Sequence, residues 1–556
     1  MNGAGRDPLR RYVVAAGRLV HYRRAGSGPP VVLLHDSPRS SVLHLPLLRT
    51  LSDVFTVYAL DTPGYGLSDP LPAAPRPELD DFGDALAAAL EALGLEQPVV
   101  YAFHTSSKIA LSCAVRHPGR IGRLVIDGLS LPPAAPPESF IAAYMSPFEP
   151  DAEGAYIAKQ WAKIRDLHRF FPWFQRDLAH RIPMDEPGPE ALHAYAMDLF
   201  MAGPDYSAAY SAAMRYLALE ALPGLATPTT FMARADDVLY SFLDAVEANL
   251  PACATVERLP ADREAWLARL RELLALGSGR IGPAATAQRP ARGYLDLAHG
   301  QLHLHRYGAG GRVVLMLHDP PGSGRDVEAP ARCMEGREVI APDLPGCGLS
   351  DPLDEAAGCG GYARVLAEAM TILGVEAFDV VALGLSVPIG VELAALRPQQ
   401  IGRLVLDGMP RLDPAQAADI ALRYAAPIRP AREGSHFIAA WHRLRDEQLQ
   451  WPWYDGSQAA RRHIEPDLDA WRLHHRLVAM LQQPASYGRA CRAALRHDLR
   501  GAMRELAIPV TVMDGSPDPR HAGAAELAAA APDGRCVSRP AATGDAWRRL
   551  AAALEG

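Results

Sequence analysis

The chain has 556 residues, with 56 Lys and Arg against 64 Asp and Glu for a formal charge of −8, and 49% of its residues are hydrophobic while 22% are charged. That balance argues against a polyanion-binding protein and against extended disorder, and it leaves enough apolar side chains for sizeable cores. At roughly 150 residues per domain the length alone suggests three or four domains.

From the N-terminus, the opening MNGAGRDPLRR lacks the apolar stretch of an export signal, and no run of about 18 apolar residues follows anywhere. The expectation is a cytoplasmic protein without a membrane partner. The seven cysteines are scattered and never spaced as C-x-x-C, so they are read as reduced thiols.

An internal repeat replaces the length-based domain count. VVLLHDSP (Val31 to Pro38) returns as VVLMLHDPP (Val313 to Pro321), LDTPGYGLSDPL (Leu60 to Leu71) as PDLPGCGLSDPL (Pro342 to Leu353), and RIGRLVIDG (Arg120 to Gly128) as QIGRLVLDG (Gln400 to Gly408). The stretch from Glu153 to Phe174 returns from Glu433 to Tyr454, and Thr227 to Asp237 returns from Ile508 to Asp518, all at offsets of 280 to 283 residues. A period this long marks duplicated domains and not a solenoid. The predicted layout is domain 1 over 8–272, a Gly/Pro/Ala-rich linker over 273–292 and domain 2 over 293–556, the two domains expected to pack together within the chain.

Within each copy, short β-branched runs alternate with Ala/Leu/Glu/Arg helices such as Asp81 to Leu93 and Tyr362 to Leu373. This alternation predicts an α/β fold: a mostly parallel sheet flanked by helices. One long helical stretch breaks the rhythm after the sixth strand of each copy, over about 133–220 and 411–502, and in position it looks like an inserted lid.

These motifs, His35-Asp36-Ser37-Pro38, His318-Asp319-Pro320-Pro321, Asp61 to Asp69 and Asp343 to Asp351, resemble the α/β-hydrolase superfamily. The likeness is to its lidded epoxide-hydrolase, haloalkane-dehalogenase and carbon–carbon hydrolase branch, and it covers nearly the whole chain twice. The resemblance implies a nucleophile on a tight strand-to-helix elbow, an acid after the seventh strand and a histidine after the eighth. Gly384-Leu385-Ser386-Val387-Pro388 invites assignment of Ser386 as the elbow tip. The resemblance implies a different register through two of the family's flanking landmarks: its L-G-[LV]-E turn lies eight residues before the tip, at Glu96 or Glu376, and the proline ending the elbow helix fourteen after it, at Pro118 or Pro398, which selects His104 and Gly384. Ser106 and Ser386 then fall two residues beyond the tips, and a one-turn shift of the elbow is what would make either one a nucleophile.

By the same resemblance, Asp237 and Asp518 are the acid counterparts, with Asp127 and Asp407 as alternative acid positions. A loop Asp equally caps a helix, which is the reading favoured for Asp518. The expected histidine is missing from both copies; Arg263 to Trp266 and Gly544 to Trp547 stand in its place. A serine hydroxyl without imidazole is a poor nucleophile. His104 is therefore the candidate general base, with Asp237 or Asp127 to orient it.

The lid motif contributes Trp161, Arg165 and Trp173 in copy 1 and Trp441, Arg445 and Trp453 in copy 2, where tryptophans suit a packed lid and an arginine suits a carboxylate or carbonyl oxygen. Phe170, Phe171, Trp173 and Phe174 suggest an apolar pocket wall. Substrate-binding candidates in copy 1 are Asp36, Ser37, Phe103, Thr105, Arg165, Trp161 and Trp173. In copy 2 the candidates are His436, Asp518, Ser386 and Arg445, with His436 read as the survivor of an ancestral pair formed by an elbow and a lid histidine.

Two functions fit these residues. One is an enzyme performing hydrolysis or lyase-type general-base chemistry on a small, largely apolar carbonyl or carboxylate compound in the first domain, the second being degenerate. The other is an inactive tandem pair that binds a small ligand or scaffolds an assembly, a reading that Asp36 and Asp319 in the oxyanion loops favour. No motif supports a metal, a cofactor or a nucleic-acid partner.

Overall fold

The computed structural model describes residues 8–284 and 290–555. Positions 285–289 of the expected linker, the first seven residues read for an export signal, and Gly556 lie outside the described residues. The chain divides into two compact units: unit 1 comprises residues 1–149 and 162–290, and unit 2 comprises 150–161 and 291–556. The short segment 150–161, which ends on Trp161, thus groups with unit 2.

Unit 1 is built on strands β1 (Leu9–Ala15), β2 (Arg18–Ala25), β3 (Pro30–Leu34), β4 (Thr56–Leu60), β5 (Leu95–Glu96), β6 (Val99–Phe103), β7 (Arg123–Asp127), β8 (Thr229–Arg234), β9 (Ala254–Leu259) and β10 (Arg280–Ile281). Eight of them form one sheet in the order β1-β2-β4-β3-β6-β7-β8-β9, while β10 pairs with β5. Within the eight-stranded sheet β1 and β2 run antiparallel to their neighbours, and from β4 to β9 the pairing is parallel; the β5–β10 pair is antiparallel. Val31, Val32, Leu33, Val100, Leu124, Val125 and Ile126 are fully buried. That is why these strands read as unbroken apolar runs and not as alternating ones: helices cover both faces of a parallel sheet.

Unit 2 repeats the plan with β11 (Arg292–Leu297), β12 (Gly300–Tyr307), β13 (Val313–Leu317), β14 (Val339–Pro342), β15 (Phe378–Leu383), β16 (Ile401–Asp407), β17 (Val510–Asp514) and β18 (Gly534–Ser538), in the order β11-β12-β14-β13-β15-β16-β17-β18. The helical excursions fall between β7 and β8, and between β16 and β17, the sixth and seventh strands of each sheet. The helices Leu79–Ala92 and Thr105–Arg116 pack against one another in unit 1, as Gly358–Ile372 and Val387–Leu396 do in unit 2.

Parallel pairing puts Phe103 beside Asp127 and Leu383 beside Asp407 at the carboxyl ends of the central strands. In open parallel sheets those ends carry the ligand crevice. Among the described residues, no helix is long and apolar enough to cross a membrane.

Candidate active site at the carboxyl ends of the central strands

In unit 1 the chain leaves β6 at Phe103 and enters the helix Thr105–Arg116 through His104, whose φ of 52° and ψ of −111° are rare for a non-glycine residue. Strain of this kind persists only where the surroundings over-determine it, and here the turn does so. The Ser106 hydroxyl accepts from Phe103 N at 3.0 Å and lies 2.9 Å from Leu34 O. Gly128, at φ +73°, leaves room for the imidazole, since a Cβ there would fall 2.6 Å from His104 Cδ2.

The imidazole stacks on Phe103 with ring centroids 3.9 Å apart, and its Nε2 lies 2.8 Å from Asp237 Oδ2. Asp237 is held in turn by Leu239 N at 2.7 Å from Oδ1. Burial opposes the imidazolium, but the Asp237 hydrogen bond and the charges of Asp36, Asp237 and Asp127 outweigh it and hold the His104 pKa above the ordinary histidine value. For Asp237, burial opposes the carboxylate and His104 more than compensates, so its pKa falls below the usual carboxylate value. His104 Nδ1 makes no hydrogen bond among the described residues.

Asp36 sits across from this pair. Its Oδ1 accepts from Ser37 N at 2.7 Å and from Thr105 Oγ1 at 3.1 Å. The loop is fixed by His35, whose Nε2 accepts from Thr62 N at 3.0 Å and whose Nδ1 therefore donates to Asp36 O at 2.7 Å. A carboxylate thus occupies the loop where an acyl-transfer enzyme would offer N–H donors to an oxyanion.

Asp127 does not orient His104. Its Oδ2 accepts from Tyr101 OH and from Trp266 Nε1, each at 2.8 Å, and Trp266 stands in the stretch where the eighth-strand histidine was expected. Burial pushes the Asp127 pKa up to about 6 against the pull of these two donors. Ser106, 1% exposed and bonded into the turn, is not presented as a nucleophile, and Ser386 repeats the arrangement with Leu383 and Leu317.

Of the lid candidates, Arg165 is half-buried, its Nε without a hydrogen-bond partner among the described residues. The Trp173 indole donates to Tyr144 O at 2.9 Å and lies 5.1 Å from the Lys163 ammonium, while Phe171 is exposed, so the expected apolar wall is incomplete. Trp161 belongs to the segment grouped with unit 2, where its indole donates to Arg432 O at 3.1 Å.

Sequence reasoning missed three phenols. Burial, together with the charge of Asp36, pushes Tyr144 up to about 12 and Tyr195 and Tyr210 well above their ordinary values, so the three are neutral hydrogen-bonding groups within the field of Asp36. They stand on separate lid segments and share no motif, so no sequence signal links them.

The corresponding place in unit 2 is different in kind. Gly384 has φ +56°, and a Cβ there would lie 2.1 Å from both Arg520 Nη2 and Asp319 Oδ1. Asp319 Oδ1 accepts from Leu385 N at 2.8 Å, and its other oxygen is paired with Arg520 Nη1. An ion pair fills the volume that a reactive side chain would need.

Asp407 is bound by His521 Nε2 at 2.7 Å and Arg539 Nε at 3.0 Å. Burial opposes ionisation there, yet these cations bring its pKa down to about 2. Asp518 caps Arg520 N at 2.9 Å and accepts from His463 N at 3.0 Å, the capping role expected of it. His436 accepts from Ala431 N at 3.1 Å and packs on Phe437, and Arg445 donates to Ala152 O. Neither lines the cavity beside Gly384, so the pairing of an elbow with a lid histidine is not reproduced.

One set of side chains has metal-ligand spacing: His303, His305 and Asp343, their ligand atoms within 4.8 Å of one another. Asp343, however, accepts from His303 Nδ1, Leu349 N and Gly324 N. Unit 1 repeats the bond as His21 Nδ1 to Asp61 Oδ2 at 2.7 Å, with Arg23 in the register of His305. The repeated pair fastens the turn after β4 and β14.

Residues 29–240 match the family model described as the alpha/beta hydrolase fold. Stretches of the chain are similar to the cis-3-alkyl-4-alkyloxetan-2-one decarboxylase of Shewanella oneidensis, 33% identical over 122 residues, which is 21% of this chain and 38% of that protein. They are also similar to a haloalkane dehalogenase of Mycolicibacterium paratuberculosis, 33% identical over 124 residues, 21% of this chain and 39% of that one. The chain thus spans about two fifths of the length of the curated relatives it matches. Among solved structures, epoxide hydrolase A from Mycobacterium thermoresistibile aligns with a TM-score of 0.39 and 20% identity, covering 49% of this chain and 99% of that one.

Proposed function

The chain belongs to the α/β-hydrolase superfamily, and from that premise we propose that unit 1 is an enzyme in which His104 acts as a general base on a small, largely apolar carbonyl or carboxylate compound. The observation that carries the reading is the 2.8 Å bond between Asp237 and an imidazole mounted on the strained elbow itself. A base at the elbow tip is placed where this fold ordinarily presents its reacting atom.

With Nε2–H donating to Asp237, Nδ1 is the nitrogen left to accept a proton, and the carboxylate stabilises the imidazolium that results. Asp36 disfavours negative charge beside it, which weighs against an acyl-enzyme route. Proton abstraction next to a carbonyl, or from a water that attacks it, needs no serine. The phenols of Tyr144, Tyr195 and Tyr210 are candidate donors to the substrate oxygen. Unit 2, with no side chain at Gly384, lacks a base in the same position and is read as non-catalytic.

The test is deuterium exchange and turnover, followed by nuclear magnetic resonance, over a panel of ketones, enol esters and lactones. His104→Gln is expected to lower the rate on any responsive compound by about 10²–10⁴-fold while leaving the fold intact. Unchanged rates in a folded His104→Gln protein would overturn the reading. Incorporation of solvent ¹⁸O separates hydrolysis from a lyase step.

A further inference from the structure

Unit 2 keeps a cavity of about 560 Å³ beside the elbow that has lost its side chain. Arg520, Arg462 and Arg476 line it, together with Arg539, His521, Trp471 and Trp547. Arg520 is only 7% exposed, and its Nη2 has no hydrogen-bond partner among the described residues. A buried guanidinium with an unsatisfied N–H is costly unless an acceptor arrives.

Four of the carboxylates near these cations are already committed. Asp319 is held by Leu385 N and Arg520, Glu447 by Arg443 and Arg476, Asp407 by His521 and Arg539, and Asp518 by His463 N and Arg462. Burial and the neighbouring Arg520 charge bring the Arg462 pKa down to about 10, a sign that the guanidiniums stand close enough to repel. Arg520 Nη2 is therefore a spare donor whose neighbouring acceptors are spent, and the cavity's other carboxylates, Asp326, Glu328, Glu465 and Asp467, stand elsewhere on its lining.

We propose that this cavity binds a small organic monocarboxylate, its head group held by the Arg520, Arg462 and Arg476 guanidiniums and its body lying against Trp471 and Trp547. A planar two-oxygen acceptor matches the guanidinium fork. A single charge fits better than a phosphate dianion, because Asp319, Asp407 and Glu447 line the same space. The volume lies within the range of small-molecule sites. The proposal does not rest on catalysis in unit 1, since no residue of that unit enters it.

Calorimetric titration of the full-length protein with benzoate, and with neutral benzamide and inorganic phosphate as comparators, tests it. Benzoate is expected to bind more tightly than either comparator. Arg476→Gln leaves Glu447 paired with Arg443 and is expected to weaken benzoate about tenfold, the value of one charge-assisted contact. Arg520→Lys is expected to do the same. Irradiation with 4-benzoylbenzoate requires no variant and is expected to label peptides carrying Trp471 or Trp547. The proposal fails if benzoate does not bind, if benzamide or phosphate binds as well, if Arg476→Gln leaves the affinity unchanged, or if the photolabel lands on unit 1.

Discussion

The two elbows share a backbone and differ in everything it carries. His104 and Gly384 both sit at positive φ, 52° and 56°, between a central parallel strand and the structure that follows it. In unit 1 the turn holds up an imidazole backed by Asp237; in unit 2 an arginine from the acid loop bends over a bare glycine and pairs with Asp319. The positive-φ turn is therefore present with and without a side chain at its tip, strained on His104 and unstrained on glycine. The lesson is that the turn alone is not evidence of chemistry; the group mounted on it and the space around that group are.

Exchanging the tips tests that view most severely. Gly384→His would drive its Cβ into the Arg520–Asp319 pair, and breaking a buried pair costs about 3–5 kcal/mol. Loss of hydrogen-exchange protection across β15 and β16 should report it. The reverse change, His104→Gly, gives up the more exposed His104–Asp237 bond but relieves a strained residue, and should cost unit 1 less, about 1–2 kcal/mol. Equal penalties would show that the two turns are equivalent after all. Next in size, Asp237→Asn should lower any His104-dependent rate by about 10²-fold. Because Asp237 raises the His104 pKa, the acid limb of the rate profile should move to lower pH in the variant; a limb that stays in place would remove Asp237 from the mechanism.

Much of this contrast could be read before any coordinates. The repeat offset paired the segments, and the spacing from Glu96 and Glu376 and to Pro118 and Pro398 placed both tips, because strand, turn and helix lengths in a packed parallel sheet leave little freedom. Side-chain direction was less accessible. Arg520 lies two residues beyond a recognised acid, yet nothing local says that its guanidinium crosses to Asp319, a partner 201 positions away. The same holds for Trp266 and Tyr101, which take Asp127 away from the imidazole, and for the tyrosines of separate lid segments that gather near Asp36. Trp161 was assigned to the first lid by its motif, but the segment it ends groups with unit 2.

The acids at the strand ends sharpen the comparison further, because Asp127 and Asp407 occupy one register and live in opposite surroundings. Asp407 faces Arg539 and His521 with its pKa brought down to about 2, so its ionisation stabilises unit 2 at all pH values above the unfolded carboxylate pKa. That contribution disappears as pH falls from about 4 through about 2. Asp407→Asn should therefore cost unit 2 about 2–3 kcal/mol at neutral pH, and the gap from the parent protein should close in acid.

Asp127 is hydrogen-bonded by a phenol and an indole and has no cation bonded to it among the described residues, and burial raises its pKa to about 6, so the fold prefers it protonated. The sign is reversed: the parent protein binds more protons folded than unfolded between about pH 4 and 6, and it loses stability as pH climbs through that window. An asparagine oxygen can accept both hydrogen bonds, which converge on one Asp127 oxygen, without carrying charge. Asp127→Asn should accordingly match the parent near pH 4 and exceed it by about 2–3 kcal/mol at pH 7, read from unfolding monitored by tryptophan fluorescence. A loss of stability at pH 7 would mean that the Asp127 charge is used, and would return Asp127 to the candidates for orienting His104.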